Sequence, residues 1–309
     1  MTDSTAKGLS IITHWRDYYE LCKPRVVALI VFTAVIGMFL AVNDLAFMRS
    51  GEFIALVVYS TLGIGMAASS AAAINQIVEQ KVDAEMKRTH NRPLPTGHIN
   101  KTQALVFAAV IGVASMLILI FLVNMLTAVL TFLSLIGYAF VYTLYLKRAT
   151  PQNIVIGGAA GAAPPVLGWA AITDSAPVES WLLFLIIFIW TPPHFWALAI
   201  AKVDDYAKVN IPMLPVTHGV EYTRLQVLLY AILLLLVTVL PFLSGMSGYV
   251  YFYGAVLLGS IFIYYSIRMQ NPKNVDYPMK TFGFSIIYLM LLFALLLLDH
   301  YLILISVTH

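Results

Sequence analysis

Residues 53–97 read FIALVVYSTLGIGMAASSAAAINQIVEQKVDAEMKRTHNRPLPTG and join an apolar run to a segment rich in charged residues. The run Phe53–Ile74 contains no Asp, Glu, Lys or Arg, and its 22 residues are enough to cross the roughly 30 Å hydrocarbon core of a bilayer as a helix. Acids, bases and prolines follow from Asn75 onward. The stretch therefore predicts a membrane-spanning helix that brings a group of polar residues directly to one membrane surface.

The whole chain has the composition of a membrane protein. Of its 309 residues 61% are hydrophobic and 11% are charged, whereas roughly 25% of residues are charged in ordinary globular proteins. This composition excludes a soluble enzyme, a disordered chain and a collagen-like chain. The single cysteine, Cys22, excludes a disulfide framework and a CxxC metal site, and the net charge of +3 does not indicate nucleic-acid binding.

Nine uncharged apolar runs of about 20 residues predict nine transmembrane helices. Only Asn124 and Met125 separate the third run from the fourth, so we expect these two helices to form a tight hairpin. The pattern predicts an all-α polytopic membrane protein in which residues 1–309 form a single integral-membrane domain. The runs are Val26–Val42, Phe53–Ile74, Ala104–Val123, Leu126–Leu146, Ile154–Ile172, Trp181–Ala201, Leu225–Leu243, Tyr249–Ile267 and Phe282–Leu298.

Lysine and arginine are retained on the cytoplasmic side of short membrane loops. If the N-terminus lies in the cytoplasm, 17 of the 18 Lys and Arg residues fall on that side and only Arg49 falls outside. The C-terminus then lies outside, because nine helices separate the two ends. The stretch before Arg25 has the pattern of neither a secretory signal nor a transit peptide. We therefore expect a multi-pass protein of the bacterial inner (plasma) membrane.

Two predicted cytoplasmic loops, residues 75–103 and 202–224, are long and carry acids, and long loops in compact proteins are usually functional or disordered. If the second helix continues past the membrane, Asn75, Glu79 and Asp83 stand at i, i+4 and i+8 on one helix face. Their oxygens suit Mg²⁺, and Arg88 and Arg92 suit phosphate, so the pattern indicates a diphosphate bridged to the protein by metal. The alternative is a solvated amphipathic extension whose acids pair with neighbouring bases, namely Lys81, Lys87 and Arg88.

The second loop begins AKVDDYAKVNIPMLPVTHG, residues 201–219, and repeats features of the first. Val203-Asp204 matches Val82-Asp83, and the segment from Pro212 to Gly219 roughly matches Pro93 to Gly97. The repeat is weak, because two unequal insertions are needed to align it. It predicts two related helix sets that bring both loops to one pocket, with Asp204 and Asp205 facing Glu79 and Asp83.

These residues resemble a known family. The pattern Asn75-x3-Glu79-x3-Asp83-x4-Arg88, followed by Thr89, Arg92-Pro93-Leu94 and Gly97, resembles the first motif of the UbiA superfamily of intramembrane prenyltransferases. Further segments are similar to its protohaem IX farnesyltransferase branch. They are Lys23-Pro24-Arg25, residues 142–168, Thr191–Trp196 (TPPHFW), and Asp205-Tyr206 leading to residues 212–215.

The resemblance implies a UbiA-like helical bundle that transfers the farnesyl group of farnesyl diphosphate to a vinyl group of haem B. The product would be haem O, for a haem-copper terminal oxidase, with oxidase assembly proteins as possible partners besides the lipid bilayer. Glu79 departs from the family pattern, which usually has Asp there. The second motif is reduced to Asp204-Asp205-Tyr206, so it stays open which aspartate ligates. The implied Mg²⁺ ligands are Asn75, Glu79, Asp83 and Asp205. The residues implied to neutralise the leaving diphosphate are Arg88, Arg92, Lys147 and Arg148. Arg25 is a further implied substrate-binding residue, and Asp204 and Tyr206 complete the catalytic set.

His194 lies inside an apolar span, directly after two prolines. Polar side chains at membrane depth usually face a cavity or a partner, and one interpretation is a contact with haem through its iron or its propionates. The alternative is a histidine that bonds a carbonyl freed by Pro192 or Pro193. Tyr138, Tyr142 and Tyr145 have two interpretations as well, as faces that stabilise a cationic intermediate or as interfacial belt residues.

Two other functions compete with haem farnesylation. One is a prenyltransferase of the same superfamily that acts on an aromatic quinone precursor. The other is a secondary transporter, since repeats and polar residues at membrane depth are typical of that class. Here the ionisable residues crowd at one membrane face, which favours an interfacial enzyme. The small residues of the second and fifth spans favour close helix packing over room for a porphyrin.

Overall fold

The computed structural model describes residues 15–86, 89–209 and 211–308, and in this part of the chain every regular element is a helix. The helices are α1 (Trp15–Leu21), α2 (Pro24–Leu40), α3 (Leu45–Met48), α4 (Gly51–Glu85), α5 (Lys101–Leu122), α6 (Met125–Ile136), a π-helical segment (Gly137–Leu146), α7 (Lys147–Ala149), α8 (Asn153–Ala162), α9 (Pro164–Thr173), α10 (Val178–Ala201), α11 (Val203–Lys208), α12 (Leu214–Thr217), α13 (Val220–Leu243), α14 (Tyr249–Gln270) and α15 (Tyr277–Thr308).

The predicted membrane spans are confirmed as helices. Eight stretches of the described chain are long and apolar enough to cross a membrane, with α6 and the π-helical segment forming one of them and α8 and α9 another. The ninth is a pair, α1 and α2, that passes the same criterion only together and is bent by 55° at Cys22 and Lys23. The all-α fold and the number of spans therefore agree with the sequence prediction.

The division between the third and fourth spans falls at Asn124, as predicted. Its side-chain oxygen accepts a hydrogen bond from the Thr127 backbone N–H at 2.8 Å, which caps the start of α6. Its side-chain amide donates to the Ala170 carbonyl at 2.8 Å and so ties the turn to α9. Because an asparagine cap satisfies an otherwise free helix N–H, a two-residue turn is enough to separate two spans.

Small residues let α2 and α9 touch through their backbones. A Cβ atom built on Gly168 would lie 1.9 Å from the Ala34 carbonyl oxygen, and one built on Gly37 would lie 2.3 Å from the Pro165 carbonyl oxygen. α9 belongs to the fifth span. In the second span, Ser70 of α4 donates a hydrogen bond to the Ala108 carbonyl of α5 at 2.8 Å, so a small residue also lies at a helix contact there. Close packing, the favoured interpretation of these residues, is what the helices show.

Met86 and Ile200 pack in one apolar cluster, which places the ends of α4 and α10 together. We call this end of the bundle, where α4 finishes at Glu85 and α10 at Ala201, the site end. The segment 75–103 is less of a loop than predicted, since α4 continues to Glu85 and α5 begins at Lys101. The segment 202–224 likewise contains α11, α12 and the first turn of α13.

The contact between α2 and α9 predicts that alanine substitutions at two glycines of one span differ sharply in their effect on stability. We expect Gly168→Ala to destabilise the protein by about 1–3 kcal/mol, since the added methyl group meets a backbone carbonyl that cannot rotate away. Gly161→Ala is the matched control, because nothing lies within 4 Å of the added Cβ. Thermal unfolding in detergent measures both. Equal midpoints for the two variants would contradict the packing described.

Candidate active site

Three oxygen-bearing side chains form one buried row on α4. Asn75, Glu79 and Asp83 stand four residues apart and are 2%, 8% and 3% exposed. α4 has 35 residues and so is roughly 52 Å long, well beyond the roughly 30 Å core that its apolar run crosses. The expected continuation of the second helix is therefore observed, and it carries the row to the site end.

Each member of the row is bonded to a cation from a different segment of the chain. Lys23 Nζ donates to Asn75 Oδ1, Lys147 Nζ donates to Glu79 Oε1, and an Arg92 guanidinium nitrogen lies 2.5 Å from Asp83 Oδ2. The alternative was a solvated helix whose acids pair with neighbouring bases. It does not apply to Glu79 and Asp83, which are buried and paired with Lys147 and Arg92. Lys81 is exposed and has no ion pair within the described residues, while Lys87 and Arg88 lie outside them.

The bend between α1 and α2 positions Lys23. Its backbone has a φ of 50°, which is uncommon for a residue other than glycine, and Pro24 begins α2 directly after it. Gln76, next to Asn75 on α4, donates from Nε2 to the carbonyls of Glu20 and Leu21 at 3.1 Å each. The motif Lys23-Pro24-Arg25 led to a prediction for Arg25 and none for Lys23, but in the structure Arg25 is exposed and Lys23 contacts the row.

The π-helical segment positions Lys147. Asn75 Nδ2 donates to Thr143 Oγ1 at 3.3 Å, and Thr143 donates to the Tyr138 carbonyl, five residues back, at 2.8 Å. Lys147 begins α7 at the end of this segment and reaches Glu79 on the same side of the row. The side chain of Arg148, also predicted to bind diphosphate, lies outside the described residues.

The connection after α4 folds back to position Arg92. Thr89 donates from its hydroxyl to the Asp83 carbonyl at 3.1 Å, and Gln80 donates from Nε2 to the Leu94 carbonyl at 3.1 Å. Leu94 is only 1% exposed, so the loop is anchored by an apolar side chain as well. These contacts hold Arg92 against the last member of the row. Arg88 lies outside the described residues.

The second acidic segment reaches the end of α4 through Tyr206. That side chain is 7% exposed and packs in a cluster with Met86 and Trp196. Asp204 is exposed and Asp205 is half-buried, and neither carboxylate makes a hydrogen bond or ion pair with a described residue. The structure thus brings Tyr206 to the site end, while the expected approach of the two aspartates to Glu79 and Asp83 stays a prediction.

The predicted repeat of the two segments has a backbone counterpart. Gly97 and Gly219, which end the matched segments, both have a positive φ, 77° and 84°. Leu94 and Leu214, three and five residues before them, are each 1% exposed. Each segment therefore ends in a buried leucine followed by a left-handed glycine.

Tyr138 and Tyr142 stack on each other beside the row, with ring centroids 5.5 Å apart and an interplanar angle of 28°. The Tyr142 ring packs directly on Gly157 of α8, where an added Cβ would lie 2.1 Å from the ring. Tyr145 is 69% exposed, which agrees with its interpretation as a belt residue. Two of the three candidate tyrosines are thus half-buried within the bundle.

His194 is buried between α10 and α15. Its ring is stacked between Trp190, with centroids 4.2 Å apart, and Phe282, at 4.6 Å. Its Nδ1 lies 2.6 Å from Ser285 Oγ. The alternative in which the ring bonds a carbonyl freed by Pro192 or Pro193 is not observed, since its hydrogen-bond partner is a hydroxyl on another helix.

Comparison with known proteins identifies the family of the chain. Residues 30–294 match the model of the UbiA prenyltransferase family. The chain belongs to the UbiA prenyltransferase family. A protoheme IX farnesyltransferase from Nitrosococcus oceani is 57% identical over 291 residues, which cover 94% of this chain and 95% of that protein.

Two solved structures show the UbiA fold. The structure of a digeranylgeranylglyceryl phosphate synthase matches with a TM-score of 0.75 and 17% identity, covering 93% of this chain and 98% of that one. A UbiA homologue from Archaeoglobus fulgidus bound to GPP and Mg²⁺ matches with a TM-score of 0.58 and 15% identity, covering 91% and 99%. At these identities the likeness concerns the fold.

The oxygen row of this UbiA-family chain fits a hard divalent cation. It offers one amide and two carboxylate oxygens on a single helix face, and Mg²⁺ is usually held by one or two carboxylates together with substrate phosphates. The described residues contain no group of three His, Cys, Asp or Glu side chains that would close around an ion. The donors therefore suit a metal shared with a ligand rather than a site made by protein alone.

The charges of the UbiA-family site also favour an anionic ligand. Three cations, Lys23, Arg92 and Lys147, face two carboxylates, Glu79 and Asp83, so the formal balance of the contact network is one positive charge. A bound divalent cation would raise this formal balance to three positive charges. A buried excess of positive charge is costly unless an anion neutralises it, which is what a diphosphate provides.

The buried pairs predict energetic coupling across the site. Lys147→Met should destabilise the protein because it leaves the Glu79 carboxylate buried without its cation. Adding Glu79→Gln should recover much of that loss, with a coupling energy of about 1–3 kcal/mol in a double-mutant cycle measured by unfolding in detergent. Lys81→Met, an exposed lysine on the same helix as Glu79, is the control and should change little. Additive single effects would show that the pair is not coupled.

Proposed function

We propose that this chain transfers the farnesyl group of farnesyl diphosphate to a vinyl group of haem B, giving haem O and diphosphate. The observation that carries the proposal is the buried oxygen row with a cation on each member, at one end of a membrane bundle. This set of residues suits an amphiphilic substrate whose diphosphate group is bridged to the protein by a metal ion. The choice of farnesyl and haem is supported by the relative at 57% identity, whose name specifies both.

Asn75, Glu79 and Asp83 are the residues that would hold Mg²⁺, with Asp205 as a further ligand. The metal, when bound, supplies positive charge to the diphosphate oxygens. Asp205 is favoured over Asp204 because it is less exposed.

The cations have the complementary role. Arg92 and Lys147 neutralise the charge that develops on the diphosphate as the allylic C–O bond breaks and its electron pair leaves with oxygen. Both already lie at the oxygen row and both are mostly buried, so little solvent has to reorganise around them during the reaction. Arg88 and Arg148 complete the proposed diphosphate-binding set, and Arg25 is a further proposed substrate-binding residue.

Tyr138 and Tyr142 present aromatic faces beside the row, where an allylic cation would form. Such faces stabilise a cation electrostatically. The vinyl group of haem B supplies the electron pair of the new carbon–carbon bond to that cation. Water then adds to the resulting haem-side cation and loses a proton, which leaves a hydroxyl group on the product.

His194 is the proposed haem contact, because it places an imidazole at membrane depth within the same bundle. The proposed location is the inner membrane with the site end and the N-terminus in the cytoplasm, which is supported by the distribution of Lys and Arg. Haem O made there would pass to the assembly proteins of a haem-copper terminal oxidase, and these are the proposed protein partners.

Mass analysis of haem tests the proposed reaction. Membranes containing the wild-type chain, haem B, farnesyl diphosphate and Mg²⁺ should yield a haem that carries a hydroxyfarnesylethyl group. Asp83→Ala should lower its formation roughly 100-fold or more, because it removes an oxygen from the row and leaves Arg92 unpaired. Glu85→Ala, an exposed acid two residues away on α4, should retain activity.

Absence of that product with the wild-type chain would overturn the proposal. Formation of a prenylated hydroxybenzoate or naphthoate in a parallel reaction would favour the quinone-precursor alternative instead. Wild-type turnover by Asp83→Ala would reject the role of the row while leaving the substrate assignment intact.

Metal binding gives a prediction that does not depend on turnover. We expect purified wild-type chain to bind Mn²⁺, a paramagnetic substitute for Mg²⁺, in the presence of farnesyl diphosphate. Asp83→Ala should weaken this binding by about tenfold or more, equivalent to at least about 1.4 kcal/mol. Electron paramagnetic resonance of free Mn²⁺ measures the affinity, with Glu85→Ala as the control. An unchanged affinity in Asp83→Ala would rule out Asp83 as a ligand.

A further inference from the structure

The imidazole of His194 is in contact with three aromatic rings. Trp190 and Phe282 stack on its two faces, with interplanar angles of 19° and 26°. Phe195 meets its edge, with ring centroids 4.9 Å apart and an angle of 80°. Three aromatic rings therefore fix the plane of the imidazole, and only its two nitrogens are left to interact with polar groups.

Ser285 of α15 occupies one of these nitrogens. Its Oγ lies 2.6 Å from His194 Nδ1 and also donates to the Phe282 carbonyl at 2.6 Å. Because a hydroxyl has one proton and the carbonyl can only accept, Oγ accepts from Nδ1–H. The backbone carbonyl of Ser285 accepts from Trp190 Nε1 at 2.8 Å, so the serine is tied to α10 through both its side chain and its main chain.

The other nitrogen, Nε2, then carries the lone pair. It has no hydrogen bond with any described residue, and it is not one of the fully enclosed unpartnered polar atoms of this part of the chain. A fixed imidazole with one nitrogen bonded and the other reachable is the arrangement typical of a metal-ligating histidine, whose second nitrogen donates to an orienting partner.

We propose that Ser285 is a positioning residue: by accepting from Nδ1–H it sets the tautomer and the direction of His194, so that Nε2 ligates the iron of the haem substrate. This inference rests on the proposed function, since haem is the acceptor. The bond that forms is a coordinate bond from the Nε2 lone pair to iron, and no proton or electron is transferred. Its effect is to hold the porphyrin while a vinyl group is attacked.

Haem-binding spectra test the positioning role. Purified full-length protein in nanodiscs is titrated with ferric haem B, and the Soret band is recorded. His194→Gly should lose the spectrum of an imidazole-ligated haem, and added imidazole should restore it. Ser285→Ala should keep some ligation but bind haem about tenfold more weakly, as expected when the orienting partner of a metal ligand is removed.

Ser266→Ala is the matched control. Ser266 is fully buried like Ser285 and donates to the carbonyl of Phe262 in its own helix at 2.9 Å, but it makes no contact with a histidine. It should therefore match wild type in haem affinity and Soret position even where it lowers thermal stability. A loss of affinity in Ser266→Ala equal to that in Ser285→Ala would overturn the proposal, since destabilisation would explain both.

Haem product analysis on the same samples separates this inference from the proposed function. If wild type farnesylates haem while Ser285→Ala and His194→Gly keep wild-type haem spectra and affinity, the positioning role is wrong and the function stands. If wild type makes no farnesylated haem, the proposed function is wrong. If the wild-type haem spectrum also does not depend on His194, the positioning role of Ser285 is wrong as well.

Discussion

The structure depends on the neutralisation of one row of polar side chains at the end of α4. Asn75, Glu79 and Asp83 are nearly inaccessible, and burying carboxylates without partners is costly. The cations that satisfy them come from the bend before α2, from the loop after α4 and from the end of the π-helical segment. The bend and the π-helical segment, which are distant from the row in sequence, must therefore meet at α4 together with the adjacent loop, and this requirement determines where each of them lies.

Close packing makes that meeting possible. Gly37 and Gly168 bring the backbones of α2 and α9 into contact, and Gly157 lets the Tyr142 ring lie against α8. A bulkier residue at any of these positions would separate helices that deliver cations or aromatic faces to the row. Small residues in the spans are thus part of how the site is assembled.

The sequence predicted the features that depend on residues close together in the chain. Uncharged runs identified the spans, and spacing of four residues placed Asn75, Glu79 and Asp83 on one helix face. Arg92 is only nine residues from Asp83 and belongs to the same local pattern, whereas Lys23 and Lys147 lie 52 and 68 residues from their partners, and spacing does not predict contacts between such distant segments. Lys147 was selected only through a family resemblance, and Lys23 was passed over for Arg25, since a motif does not specify which of two cations a backbone bend turns inward. Likewise Ser285 is 91 residues from His194, and no local pattern connects them.

The distance between Glu79 and its partner has a consequence for how the chain is made. Lys147 follows Glu79 by 68 residues. At a synthesis rate of about 5–20 residues per second, the carboxylate waits roughly 3–14 seconds for its cation to be made. During that interval α4 has already been synthesised, and a lone carboxylate is best accommodated in water. Because the row lies beyond the apolar run of α4, Glu79 can remain at the membrane surface until the later helices arrive and enclose it.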